Sequence, residues 1–250
     1  PQFYKQVLVA SGLERVFEVA PAYRAEKHDT PRHLNEYVSM DVEMGFIESE
    51  KDLIELEKGL LAAIFEEVKK KNGPDLAAWN AEPPDPESAY KAPTVSYGEA
   101  LEIANAAARE RIFDVNPEAE RLICEWSAKE HRTDLVFVNE FPRRYRPFYT
   151  YPRDAGDGGA ASTMSFDALF RGLEITTGGR RQHDYRALVE ALPRFGLTEE
   201  SIAGYAMLKY GCPPHGCFAI GCERLTQKIL GLANVKEASL FPRDRRRVEP

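Results

Sequence analysis

Phe166-Asp167-Ala168-Leu169-Phe170-Arg171-Gly172-Leu173-Glu174-Ile175-Thr176-Thr177 decides the fold. Two short apolar, β-favouring runs flank Arg171-Gly172, the length and composition of a two-residue hairpin turn. The spacing predicts antiparallel strands over Phe166 to Phe170 and Leu173 to Thr177. Folding about the turn sets Leu169 opposite Glu174 and returns Asp167 to the face of Glu174, with Cα atoms about 7–8 Å apart. Two carboxylates that close repel unless a cation lies between them. Hard oxygen ligands with room for phosphate oxygens suit Mg²⁺. Two solvated carboxylates on a sheet edge fit the pattern as well.

Upstream, Val16 to Glu26 and Glu36 to Ile47 read as a second antiparallel pair joined by the polar loop Lys27 to Asn35. In the later strand Val38, Met40, Val42, Met44 and Phe46 alternate with Tyr37, Ser39, Asp41 and Glu43, so one face is core and the other polar and acidic. The same parity puts Arg24 and Glu26 on one face of the earlier strand, ahead of Lys27, His28, Arg32 and His33. Arginine suits bidentate phosphate contact, and a carboxylate beside it can accept from an adenine amino group. A surface ion pair explains the same residues.

Ser49 with Asp52 three residues later is a capping box, and the apolar series Leu53, Leu56, Leu60, Leu61, Ile64, Phe65 and Val68 follows at helical spacing to Gly73-Pro74. Asp75 to Pro93 reads as a surface connection, and Ser96 to Phe113 and Pro117 to His131 as helices, giving a helical insertion at about 94–133. Leu135 to Asn139 is a short buried-type strand, and Asp154 to Ser162 a Gly/Ala-rich loop. Gly178-Gly179 before Arg180-Arg181 reads as a place where backbone approaches a ligand, or as a glycine loop with solvated arginines. Cys217 to Gly221 reads as a strand feeding a helix from Cys222 to Leu230, with Glu223-Arg224 at its start, where an arginine and a helix N-terminus favour anions. Hairpins without regular β-α-β alternation indicate an α+β fold, residues 1–250 forming one domain.

The formal charge of −7 argues against a surface that binds nucleic acid everywhere, but not against a local basic groove. No glycine fingerprint of the dinucleotide or P-loop kind occurs, nor a nucleophile triad. Cys212, Cys217 and Cys222 with His215 lack the paired spacing of a zinc site and read as packed thiols. Without a long apolar run or signal pattern, a cytoplasmic location is expected by default. Pro1 in place of Met leads us to expect a longer parent protein.

Taken together, Tyr23-Arg24-Ala25-Glu26 through Arg32-His33-Leu34 to Asp41-Val42-Glu43 resembles motif 2 of class II aminoacyl-tRNA synthetases, and Gly216 to Arg224 resembles motif 3. Pro1 to Gln6, Arg146-Pro147-Phe148-Tyr149, Phe166 to Asp184 and Leu240 to Arg245 are similar to the archaeal-type aspartyl branch. The asparaginyl branch usually shows Glu-Pro-Glu at Asp41-Val42-Glu43, and Arg-Glu-x-Arg at Arg181-Gln182-His183-Asp184.

The resemblance implies an antiparallel sheet flanked by helices, and an enzyme that activates L-aspartate with ATP and Mg²⁺ and transfers it to tRNA-Asp. Whether tRNA-Asn is also charged stays open. It implies that Arg24 and Arg224 serve catalysis, with Arg24, Glu26, His33, Tyr37, Glu174 and Arg224 binding ATP. Asp167 and Glu174 hold the metal, and Gln2, Lys5, Asp41, Arg181 and His183 form the aspartate pocket. It also implies a homodimer in the full-length parent, although motif 1 and the anticodon-binding barrel are missing from the sequence as it stands. A paralogue making a free amino acid, or a noncatalytic class II-like binding module, are the alternatives.

Overall fold

The computed structural model describes residues 2–153 and 161–249, so most of the loop expected over Asp154 to Ser162 lies outside the described residues. Helix α1 (Gln2–Ala10) turns Lys5, Gln6 and Val9 inward. The pair β1 (Arg15–Tyr23) and β2 (Glu36–Gly45) follows, in a register that sets Val19 opposite Met40. Then come α2 (Glu50–Lys71), α3 (Gly73–Ala78), α4 (Pro86–Lys91), β3 (Thr94–Ser96), α5 (Tyr97–Ala107), α6 (Pro117–His131) and β4 (Leu135–Asn139). The hairpin β5 (Ser165–Phe170) and β6 (Leu173–Arg180), α7 (Tyr185–Ala191), β7 (His215–Gly221) and α8 (Cys222–Leu230) complete the chain.

The strands form a seven-stranded sheet in the order β1-β2-β7-β6-β5-β4-β3. Every neighbouring pair is antiparallel except β3 and β4. No helix among the described residues is long and apolar enough to cross a membrane.

Two apolar layers sandwich this sheet. On one side α2 buries Leu53, Ile54, Leu61 and Phe65 against Phe137, Phe166, Phe170 and Phe218. On the other, α5 and α6 cover Val136, Val138 and Leu169 with Ala100, Ala104, Ile123 and their neighbours. The capping box forms as the sequence indicates, Ser49 capping α2 and Asp52 reaching back. A second box, Ser96 with Glu99, starts α5, which ends at Ala107 rather than Phe113. There the Asn105 amide turns back to bond the backbone of Leu101 and Ile112.

Three expectations need correcting. The surface connection over Asp75 to Pro93 contains α3 and α4, because Leu76 and Ala89 have apolar surface to bury against α2. Phe46 is not on the core face: the strand ends at Gly45, and Phe46 adopts a left-handed φ of 60° that turns its ring out to solvent. Gly178 and Gly179 form strand rather than a glycine loop with solvated arginines, and both line a small pocket together with Arg181. A Cβ on Gly178 would stand 2.5 Å from the Phe166 ring and 2.8 Å from Phe218 Cβ, so glycine is required there by sheet packing.

Helix α2 also buries a carboxyl on its apolar row, where Glu57 shares a face with Leu53 and Leu61. Glu57 is 0% exposed, and neither of its side-chain oxygens has a hydrogen-bond partner. Burial lifts its pKa from 4.5 to about 8 against the opposing Thr176 hydroxyl, and the charge of Asp167 adds to the rise. Below pH 4.5 the group is protonated in folded and unfolded chains alike. Between 4.5 and 8 the unfolded chain releases a proton that the folded chain retains, so stability falls as pH rises. Glu57→Gln should therefore match the wild type in thermal melts near pH 4.5 and gain an increasing advantage toward pH 8. A difference that does not vary with pH contradicts this assignment.

Candidate active site

The first constellation lies where the β1–β2 connection meets β6, β7 and α8. After Tyr23 the Arg24 amide still donates to the Asn35 carbonyl at 2.8 Å. The chain then turns, and the Glu26 amide donates to the Arg24 carbonyl at 2.8 Å. Arg24 and Glu26 thus sit in the connection, not on one face of a strand as parity suggested. The C-terminal tail holds this connection at several points: Val235 N–H to the Pro31 carbonyl and Asn35 N–H to the Arg243 carbonyl, both 2.8 Å, and Lys236 Nζ to Asp29 at 2.8 Å.

The connection arches over a cavity of about 180 Å³ lined by Arg24, Glu26, Arg32, His33, Tyr37, Glu174, Thr177, Glu223 and Arg224, among others. Glu223 takes the Val38 amide on both carboxylate oxygens at 3.0 Å, which fixes the start of α8. Arg224 then reaches across to the Arg32 carbonyl (3.2 Å), the Glu174 carbonyl (3.0 Å) and Glu174 Oε1 (3.4 Å). Slight burial raises the Glu26 carboxyl, but the amides of His28 and Lys27 and the nearby His33 outweigh it and hold the pKa below the ordinary value. Burial, with the Arg224 and Arg32 charges opposing the Glu26 carboxylate, keeps His33 below the usual imidazole range.

The second constellation is drier. Lys5, 3% exposed on α1, donates to Asp41 Oδ1 on β2 at 2.6 Å. Arg181, just past β6, donates to Gln2 Oε1 at 3.0 Å and to Cys217 Sγ at 2.8 Å, and its guanidinium lies 4.3 Å from the Tyr149 ring centroid. Glu43, two residues along β2 from Asp41, is fully buried with neither oxygen hydrogen-bonded. Burial raises its pKa to about 7 against the pull of Arg181 and Lys5, and Asp41 pushes the same way as burial. His215 contacts Gln6 Nε2 at 3.2 Å and lies 3.9 Å from Glu43; burial drops its pKa to about 4, so it is neutral. His183 stands apart from this cluster, its ring stacked on Tyr151 at 6.0 Å and facing an open cavity beside Asp184 and Cys212.

The hairpin carboxylates lie near the junction of the two. Leu169 faces Glu174 as the turn demands, but a bulge then sets Asp167 opposite Thr177. The bulge brings Thr177 and Glu174 into contact, the Thr177 hydroxyl donating to Glu174 Oε1 at 3.1 Å. Asp167 Oδ2 forms an ion pair with Arg146 Nη2 at 2.8 Å, whereas Oδ1 is buried without a hydrogen bond of good geometry. Burial, opposed by Arg146 and reinforced by Glu174, lifts the Asp167 pKa to about 6. A buried, unpartnered carboxylate oxygen beside a second carboxylate fits a hard cation. Among the described residues no group of three or more His, Cys, Asp or Glu side chains converges, so remaining ligands would come from phosphate or water.

The sequence profile of tRNA synthetases class II (D, K and N) matches residues 1–245. The chain belongs to that family. Over its whole length it is 48% identical to the aspartate–tRNA(Asp/Asn) ligase of Thermus thermophilus, and 41% identical to the aspartate–tRNA(Asp) ligase of Thermococcus kodakarensis. It spans 58% and 57% of those two relatives. Among solved structures, a putative aspartyl-tRNA synthetase from Leishmania major superposes with a TM-score of 0.86 at 30% identity, over all of this chain and 56% of that one. The asparaginyl-tRNA synthetase of Pyrococcus horikoshii bound to asparaginyl-adenylate gives 0.86 at 25% identity, with the same coverage. The class II synthetase fold expected from the motifs is therefore the fold observed.

Sequence reading passed over several polar residues of this synthetase chain. Arg146 and Tyr149 stood inside a quoted motif without a role, and Glu43 shares the parity of Asp41. Glu120 carried no local signal, because its partners lie 88 and 54 positions away.

The Lys5–Asp41 geometry is testable without turnover. Removing one partner of a buried pair strands the other, at a cost of about 3–5 kcal/mol. Asp41→Asn should lower the melting temperature sharply, and Lys5→Met combined with Asp41→Leu should recover much of the loss. Additive losses in the double variant would show that the two side chains do not interact.

Proposed function

We propose that this chain forms the amino-acid-activating centre of an aspartate–tRNA ligase. In this reading L-aspartate and ATP react to give aspartyl-adenylate and pyrophosphate, and the aspartyl group passes to the 3′ end of tRNA-Asp. Residues 1–250 act as one catalytic domain, with 94–133 inserted into it. A cytoplasmic location goes with this reading.

The observation that carries it is the junction at Thr177. This residue lines both the arginine-rich cavity and the small pocket under Arg181, so ligands in the two would meet end to end. The first suits a nucleotide: Glu26 to accept from the adenine amino group, Tyr37 as an aromatic wall, Arg24, His33 and Arg224 for the phosphates. The second suits a small dicarboxylate. Lys5 and Arg181 offer donors and no acceptors, so a side-chain carboxylate is matched and an amide NH₂ is left facing further donors. Gln2 and Asp41 hold those cations in place, whereas His183 faces the neighbouring cavity beside Asp184 and Cys212.

Activation then needs no protein nucleophile. The α-carboxylate of aspartate attacks the α-phosphorus in line, and pyrophosphate leaves. Arg24 would hold the α-phosphate and the attacking carboxylate together, and Arg224 would neutralise the departing phosphates, so catalysis is positioning plus electrostatic stabilisation. Asp167 and Glu174 would hold Mg²⁺, which supplies charge neutralisation for the phosphate oxygens. The apolar row Phe17, Val19 and Tyr23 on edge strand β1, with Tyr4 exposed on α1, supports a homodimer in the full-length protein.

Aspartate-dependent pyrophosphate exchange into ATP tests the reading. Arg24→Ala should abolish it, and asparagine should not replace aspartate, since a buried site of this polarity rejects the wrong isostere by about 10⁴-fold or more. Arg181→Leu should cut kcat/KM for aspartate by about 10²-fold or more, with little change in ATP affinity. Equal exchange with asparagine would overturn the substrate assignment. Separately, Glu174→Gln should shift the Mg²⁺ dependence upward and slow exchange by on the order of 10²-fold; an unshifted Mg²⁺ titration would remove Glu174 from the metal site.

A further inference from the structure

Residues 94–133 carry α5 and α6, which pack against the sheet on the side away from α2. One side chain of that layer leaves the apolar interface and reaches two residues that line the nucleotide cavity. Glu120, in the first turn of α6 and only 4% exposed, accepts Arg32 Nη2 on both carboxylate oxygens, at 2.8 and 3.0 Å. Its Oε2 also accepts the backbone N–H of Glu174 at 3.1 Å. Arg224 joins the same two residues from the other side, donating to the carbonyls of Arg32 and Glu174. Arg32 and Glu174 are thus clasped twice, once by a carboxylate and once by a guanidinium, and the ring closes only through α6.

We propose that Glu120 is a positioning residue for ATP, fixing the Arg32 guanidinium and the Glu174 backbone so that both walls of the cavity are set before the nucleotide arrives. The inference rests on the nucleotide reading of this cavity. The main chain of the β1–β2 connection is held independently at Asp29, Pro31 and Asn35 by the C-terminal tail. Loss of Glu120 should therefore free one side-chain head and one strand amide without releasing the whole connection. Preorganisation of this kind appears in affinity for the group that fills the site. Aspartate, bound at Lys5 and Arg181, should not sense it.

The test compares Glu120→Gln, Arg32→Gln and their combination in the full-length protein, with Glu125→Gln as a control on the solvent side of the same helix, where Glu125 pairs with Arg121. Kinetics of pyrophosphate exchange and calorimetric titration with ATP are both read. Glu120→Gln should raise KM and Kd for ATP by about tenfold, the scale of one lost charge-assisted contact. The KM for aspartate should stay near that of the wild type. Arg32→Gln should match it, the double variant should add nothing, and Glu120→Asp should recover part of the affinity. Unchanged ATP affinity, equal rises in both KM values, or additive losses would overturn the inference. Should Glu120→Gln fail to fold, the half-buried Arg32 decides alone: an unaltered ATP affinity in Arg32→Gln overturns it. Failure of the nucleotide reading looks different, since the wild type would then bind no ATP at all.

Discussion

Charges held out of water on the sheet face opposite α2 govern much of what surrounds them. Lys5, Asp41, Glu43 and Arg181 sit within one cluster, and each ion withdrawn from solvent carries a penalty that only paired charge and hydrogen bonds offset. The offset is incomplete. Both oxygens of Glu43, Nε of Arg181 and Nε2 of Gln2 are buried without partners. Burial raises the Glu43 pKa to about 7 against the pull of Arg181 and Lys5, so the strain of the cluster falls on this carboxyl.

That requirement explains why the surrounding elements take the shapes they do. Helix α1 must lie against β2 to deliver Lys5, and it is fastened by Val9 and by Phe3 against Tyr205 at 5.0 Å. Strand β6 must carry glycines at 178 and 179 so that Phe166 and Ser165 can close beneath it, which leads the chain straight into Arg181. The bulge in the β5–β6 pairing puts Thr177 beside Glu174 and so joins the small pocket under Arg181 to the arginine-rich cavity. Packing on the α2 side and chemistry on the other are thus imposed by the same strands.

How much of this was readable beforehand depends on the range of the interaction. Local signals served well: the capping box at Ser49, the Arg171-Gly172 turn with φ values of 48° and 76°, and the strand-to-helix step at Gly221-Cys222 all appear where the sequence puts them. The six residues that the family resemblance implied for ATP, Arg24, Glu26, His33, Tyr37, Glu174 and Arg224, all line one cavity. What escaped were contacts made across the fold. Position 57 does share a row with Leu53, Leu61 and Phe65, but a glutamate there gives no sign that it stays dry rather than reaching back to solvent. The grip of Glu120 on Arg32, and of Arg146 on Asp167, exists only once distant segments are stacked. The bulge was missed for a different reason: an uninterrupted hairpin and a bulged one have the same composition.

The central claim is that a donor-rich pocket selective for a carboxylate adjoins a nucleotide cavity at Thr177. Calorimetric titration with non-hydrolysable analogues of aspartyl-adenylate and asparaginyl-adenylate tests it most directly, because each analogue spans both pockets at once. The account predicts that the aspartyl analogue binds far more tightly than either half alone, and that the asparaginyl analogue binds weaker by orders of magnitude. Equal affinity for the two analogues would contradict it.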